Sequence, residues 1–164
     1  MTQVCLVGSD DVNLRYELLS RETARNALAT YDLREPFANA IRVETVSLGA
    51  AVALLNDLNW YLVRFADAAF VKEPSISDAE WLSRDLAAAI RDDEISPAAT
   101  GRFLKVYGVA ESEGEQAETV EQDRPPQLVE PMLLTRTGDT IPEYDLRDVD
   151  DTLVIRVTES EFGA

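Results

Sequence analysis

Four consecutive residues, Gly8-Ser9-Asp10-Asp11, are the best-placed candidates for chemistry in the chain. They follow an apolar run, Gln3 to Val7, that reads as a strand, and in open α/β sheets ligands gather beyond the carboxyl ends of strands. Two adjacent aspartates there have the charge and the oxygen donors to hold a hydrated Mg²⁺ and to support phosphoryl transfer or hydrolysis. The other parts of the familiar phosphate sites are missing: there is no Gly-x-Gly-x-x-Gly and no Gly-Lys-Ser/Thr loop. Two aspartates opening a helix are also what the helix dipole favours unaided, so capping is the preferred reading. Asp148, Asp150 and Asp151 resemble half of a calcium loop, but its glycine and distal glutamate are absent and no metal ligand is assigned.

A second constellation is Asn56, Asp57 and Asn59, followed by Trp60, Tyr61 and, inside an apolar run, Arg64. Such residues suit a pocket for a small molecule. They suit equally a helix-to-strand turn with buried aromatics and an outward Arg64, and that structural account is preferred. The ligand-binding candidates are therefore Asp10, Asp11, Asn56, Asp57, Asn59, Trp60 and Arg64; no catalytic residue and no cofactor is assigned. Lys72 and Lys105 are the only lysines. A lysine kept against a strong arginine bias invites a role as nucleophile or phosphate contact, but two residues are too few for that inference, and Lys105 reads as an outward strand position.

The chain carries 31 acidic and 15 basic side chains, a formal net charge of −16. Such self-repulsion destabilises a compact state at low ionic strength, and molar salt, with a screening length of about 3 Å, relieves it. The composition therefore predicts an acidic, halophilic protein of a salt-rich cytoplasm. Nucleic acid is excluded as a direct partner, because duplex affinity comes largely from neutralised phosphates and no window clusters Lys and Arg without intervening acids. A membrane partner is excluded too. Apolar stretches such as Leu48–Leu55 fall short of the about 20 residues a span needs, and Met1–Asp10 lacks the basic start and small-residue ending of a signal peptide. With no histidine in the chain, Ser-His-Asp triads, Cys-His dyads and His-ligated metals are ruled out. The single Cys5 forms no internal disulfide and reads as a buried, inert thiol.

These residues must be positioned by an α+β fold: a layered mixed β-sheet with helices packed on it, plus a small C-terminal β meander. The expected core domain spans 1–109, with an acidic disordered linker over 110–127 and a hairpin or meander appendage over 128–164. After the first strand, Asp10 or Asp11 caps a long helix reaching Tyr31. Val12, Leu14, Tyr16 and Leu18 also alternate as a strand would, but the alanine-rich stretch Thr23–Thr30 favours helix. Ile41–Leu48 reads as a strand, Ala50–Leu58 as a helix, and Trp60–Phe65 as a buried strand extending through Ala68–Val71. Ser77 and Glu80 match a capping box opening a helix lined by Leu82, Leu86 and Ile90. Pro97–Thr100 is a short turn or helical piece and Arg102–Val109 a strand. Beyond the linker, Met132–Thr137 and Thr140–Leu146 read as a hairpin turning at Gly138-Asp139, followed by a strand over Leu153–Thr158.

Residues 1–109, with the closing stretch Asp145–Phe162, resemble a family of uncharacterised haloarchaeal proteins, a domain of unknown function. The strings that carry the resemblance are Asp11-Val12-Asn13-Leu14-Arg15-Tyr16-Glu17-Leu18-Leu19-Ser20 and Leu54-Leu55-Asn56-Asp57-Leu58-Asn59-Trp60-Tyr61. It brings no activity, cofactor or site residue. The leading expectation is a regulatory or protein-interaction module without enzymatic activity and with a protein partner. The rivals are a Mg²⁺-dependent carboxylate enzyme centred on Asp10 and Asp11, and a small-molecule sensor using Trp60 and Tyr61. Oligomeric state is not legible.

Overall fold

A seven-stranded mixed sheet organises the computed structural model, which describes residues 1–111, 125–146, 149 and 151–163. Its strands are β1 (Thr2–Gly8), β2 (Ala40–Thr45), β3 (Ala66–Lys72), β4 (Trp81–Ser83), β5 (Phe103–Ala110), β6 (Gln127–Thr135) and β7 (Asp151–Arg156), in the order β2-β1-β3-β4-β7-β5-β6. All neighbours are antiparallel except β4 and β7. The helices are α1 (Leu14–Leu19), α2 (Glu22–Leu28), α3 (Leu48–Asp57), α4 (Asn59–Phe65), α5 (Arg84–Arg91) and α6 (Glu159–Gly163). The fold class is α+β, as the sequence pattern implies.

Alternation along the strands separates two faces. Val4, Leu6, Ile41, Val43, Val71 and Leu82 point into the main core, where they meet Leu14, Leu18, Leu28, Leu55, Leu58 and Leu86 from the helices. Cys5, Phe70, Trp81 and Ile155 point the other way and are also buried. On that side the sheet curls on itself. The Ala38 N–H, just before β2, donates to the Pro126 carbonyl, just before β6, at 2.8 Å, joining the two outer edges. Phe37 and Leu128 from those edges, with Phe162 of α6, pack into the same cluster. The C-terminal strands thus lie in the same sheet as the strands before them, with β7 between β4 and β5.

Local differences from the sequence reading have physical causes. The helix expected from Asp11 to Tyr31 is two: Arg21 is extended (φ −113°, ψ 130°), and the Arg25 guanidinium donates to the Leu19 carbonyl at the end of α1. Asn13, rather than Asp10 or Asp11, caps α1 by accepting the Tyr16 N–H at 3.0 Å. Trp60–Phe65 is helical, not extended. Leu58, Leu62 and Phe65 recur at helical spacing and pack on the main core, and that demand outweighs the β preference of Trp, Tyr and Val. Ser77 accepts the Glu80 N–H at 2.9 Å, yet the next residues form β4, and Ser83 caps α5 instead. The Gly138-Asp139 turn is present, with Gly138 at φ +62° between bridged Thr137 and Thr140. The strand expected over Thr140–Leu146 is not: Ile141 and Tyr144 fold over Leu104, Val106 and Leu134. Of the linker expected over 110–127, residues 112–124 lie outside the described residues, and Ala110 pairs with Gln127 across β5 and β6.

Candidate functional site

The turn after β1 is built around a residue the sequence reading passed over. Asn39 sits at φ +57°, a left-handed conformation that asparagine tolerates better than most side chains. Its amide Nδ2 donates to the carbonyls of Ser9 and Val12, both at 2.9 Å, and its Oδ1 accepts the Leu14 N–H at 2.9 Å. Gly8 is required beneath it, because a Cβ there would lie 2.6 Å from Asn39 Nδ2. Asp10 and Asp11 project from this turn into solvent, and Asp10 borders a shallow hollow of about 300 Å³ with Asn13, Arg15 and Glu35. Among the described residues, no three Cys, Asp or Glu side chains converge where a metal ion would sit. Asp148 and Asp150 lie outside the described residues; Asp151 is exposed, and its Oδ1 accepts the Thr152 N–H at 2.9 Å.

We expect Asn39→Ala to cost about 2–3 kcal/mol, because three backbone groups lose their partner and alanine is strained at positive φ. Asp10→Asn with Asp11→Asn should stay within about 0.5 kcal/mol, as exposed substitutions do. Urea denaturation of the two variants distinguishes a turn held by Asn39 from one whose stability depends on its aspartates.

The second group of candidates divides. Arg64 stacks over Trp60, with its Cζ 3.8 Å from the ring centroid, and donates to the Trp60 carbonyl at 2.8 Å. Arg21 lies 4.9 Å over Phe65 and pairs with Glu17 at 3.0 Å. These arginines frame an outward aromatic surface on α4, where Trp60 is 49% exposed. Asn56, Asp57 and Asn59 are exposed at the junction of α3 and α4, and Asn56 Oδ1 accepts from Arg84 at 3.3 Å. No hydrogen bond or ion pair among the described residues joins Arg64 to Asp10 or Asp11.

None of these seven residues lines a cleft of about 290 Å³ on the curled face of the sheet. Leu62 and Val63 of α4 form one wall. Ala68, Phe70, Ile155 and Val157 make an apolar floor, and Lys105 and Tyr107 of β5 stand opposite. Ser83, Arg84 and Asp85 close one end, beside Glu161 of α6. Thr158 and Glu161 form a reciprocal capping box: the Glu161 N–H donates to Thr158 Oγ1 at 3.1 Å, and Glu161 Oε1 accepts the Thr158 N–H at 2.8 Å. The same oxygen accepts the buried Ser83 hydroxyl at 2.6 Å, docking α6 on β4. Burial depresses the Arg84 pKa against the opposing pull of Asp85, and its guanidinium turns away to the Leu55 carbonyl at 3.2 Å. Lys105 is half-buried and borders the cleft rather than facing outward. Cys5 matches its sequence reading: burial pushes the thiol up to about 12 despite nearby Arg42, so it stays protonated.

The arrangement defines an α+β protein with one curled mixed sheet, α1 to α5 packed on one side of it, and α6 and a small cleft on the other. The chain belongs to DUF5804, a family of unknown function, whose model matches residues 2–109. No match was found among curated proteins or among solved structures. Among the described residues no helix is long and apolar enough to cross a membrane.

Proposed function

We propose that the protein is a regulatory module that binds a small organic molecule in the cleft on the curled face of its sheet. The observation that carries this reading is the cleft itself: an apolar floor with a few convergent polar groups, near the lower end of the about 300–1,000 Å³ usual for small-molecule sites. Helix α4 gives the reading a regulatory side. Leu62 and Val63 wall the cleft, while Trp60 and Arg64 of the same two turns face outward, so occupancy and the presented surface share one element. A protein partner is the natural reader of that aromatic surface, and the excess of carboxylates suits a salt-rich cytoplasm.

The test is a fragment screen by amide correlation NMR on the whole chain, repeated on Ala68→Phe, which fills the floor. Shifts concentrated at Leu62, Val63, Ser83, Lys105 and Val157, and lost in Ala68→Phe, are expected. Shifts elsewhere, or hits indifferent to the filled floor, would sink the reading.

A further inference from the structure

Only two of the fifteen basic residues are lysines, and both lie on the concave face. Lys105, Ile155 and Trp81 form one register row across β5, β7 and β4, and the Lys72 ammonium lies 4.9 Å over the Trp81 ring. The Lys105 ammonium lies 5.2 Å from the Tyr107 ring. Among the described residues neither lysine has a carboxylate partner, and every ion pair is made by an arginine. In a chain with twice as many acids as bases, a half-buried ammonium without a counter-charge is an unmet demand. Burying charge is costly unless it is paired, and an ammonium on a ring face gains only part of what an anion supplies.

The cleft gives that demand a direction. Beside Lys105 lies the apolar floor of Ala68, Phe70, Ile155 and Val157. The other charges are committed or lie at the mouth: Arg84 donates to Leu55 and Asn56, Glu161 accepts from Ser83 and Thr158, and Asp67 and Asp85 are exposed. Two aspartates at the mouth disfavour an anion that stays there, whereas one that reaches Lys105 meets a counter-charge. Lys72 is three strand spacings away, about 14 Å, too far for the same group.

Resting on the reading of the cleft as a binding site, we infer that its ligand is a small amphipathic anion, an apolar body carrying one carboxylate or phosphate group, and that Lys105 holds that group. Lysine rather than arginine suits this role, since a single flexible ammonium can leave the Tyr107 ring and follow the anion.

The test is titration calorimetry on the whole chain with phenylacetate, benzyl phosphate, phenylacetamide and phenethylamine, on wild type, Lys105→Met and Lys72→Met. At least one anion should bind about tenfold tighter than the neutral amide, with the loss of that advantage in Lys105→Met and a change within about twofold in Lys72→Met. The phenylacetate and benzyl phosphate arms distinguish a carboxylate from a phosphate ligand. If the amide or the amine binds as well as the anions in wild type, the anion inference fails while the cleft reading stands. That comparison holds even if Lys105→Met is poorly folded. Binding by none of the four overturns both.

Discussion

A chain ending after Val109 will show no cooperative thermal transition and no dispersed amide spectrum, although the family match spans residues 2–109. Strand β5 is the reason. Its only partners in the sheet are β6 and β7, both beyond the family match, so in the shortened chain all of its ladder groups are orphaned. Strand β4, three residues long, loses its parallel neighbour at the same time. The concave cluster loses Ile155, Val157, Leu128 and Phe162, which leaves Cys5, Phe70 and Trp81 facing water. At about 1.5–3 kcal/mol for each fully buried side chain, Ile155 and Val157, with smaller amounts from the half-buried Leu128 and Phe162, reach the lower part of the 5–15 kcal/mol by which a whole domain is stable. Adding residues 125–164 as a separate peptide should restore a cooperative melt, because the register that β5 and β4 offer is intact. A shortened chain that melts cooperatively by itself, at the wild-type temperature, would show that the sheet is not one folding unit.

The same topology explains what could be read in advance. Strand β2 was legible because Ile41, Arg42, Val43 and Glu44 alternate, β1, β5 and β7 because each is a short, largely apolar run, and α3 and α5 because leucines and alanines recur on one face. Helix α4 was not, since Trp60, Tyr61, Val63 and Phe65 all favour strands and only the burial of Leu58 and Leu62 selects the helix. The break at Ser20 and Arg21 carries no proline or glycine to announce it. The curl depends on Ala38 meeting Pro126, and no local pattern encodes a contact across so much chain. The cleft shares that property: its walls come from α4, β3, α5, β5, β7 and α6, and it became visible only once strand order placed β7 between β4 and β5. The rarity of lysine was plain in the sequence, but it pointed to no site, and only the register set Lys105 and Lys72 on one face.

Replacing Glu80 should produce the largest loss from any single charged side chain. Its Oε1 accepts from Arg136 Nη2 at 2.6 Å and from Arg156 Nε at 2.7 Å, and the three side chains are only 15–21% exposed. Arg136 Nε also donates to the Gly101 carbonyl at 2.8 Å and Arg156 Nη1 to Thr100 at 3.0 Å, so one carboxylate joins the loop before β4, the turn before β5 and the ends of β6 and β7. Glu80→Ala leaves two guanidinium groups mostly buried, close together and without a counter-charge. A cost of about 2–4 kcal/mol is expected, a fall in Tm of order 10 °C for a chain of this size. Glu80→Gln, which keeps an acceptor but no charge, should lose about half as much. The triple replacement Glu80→Leu, Arg136→Met and Arg156→Met should recover most of the loss, because the arginines then need no partner. Acid gives an independent check. Burial raises the Glu80 pKa, but the hydrogen bonds and charges of Arg136 and Arg156 more than offset it, so the folded-state value lies below the ordinary one. A depressed folded pKa contributes stability that is fully present above the unfolded glutamate pKa and is lost as pH falls through the folded value. The stability difference between wild type and Glu80→Gln, measured by urea denaturation, should therefore be constant near neutrality and shrink as pH falls below the ordinary glutamate range. Glu73, which accepts from Thr2 and Ser75 and is likewise depressed, leaves the variant some acid sensitivity of its own. A difference that does not change with pH would mean that the charge of Glu80 contributes nothing to holding the sheet together.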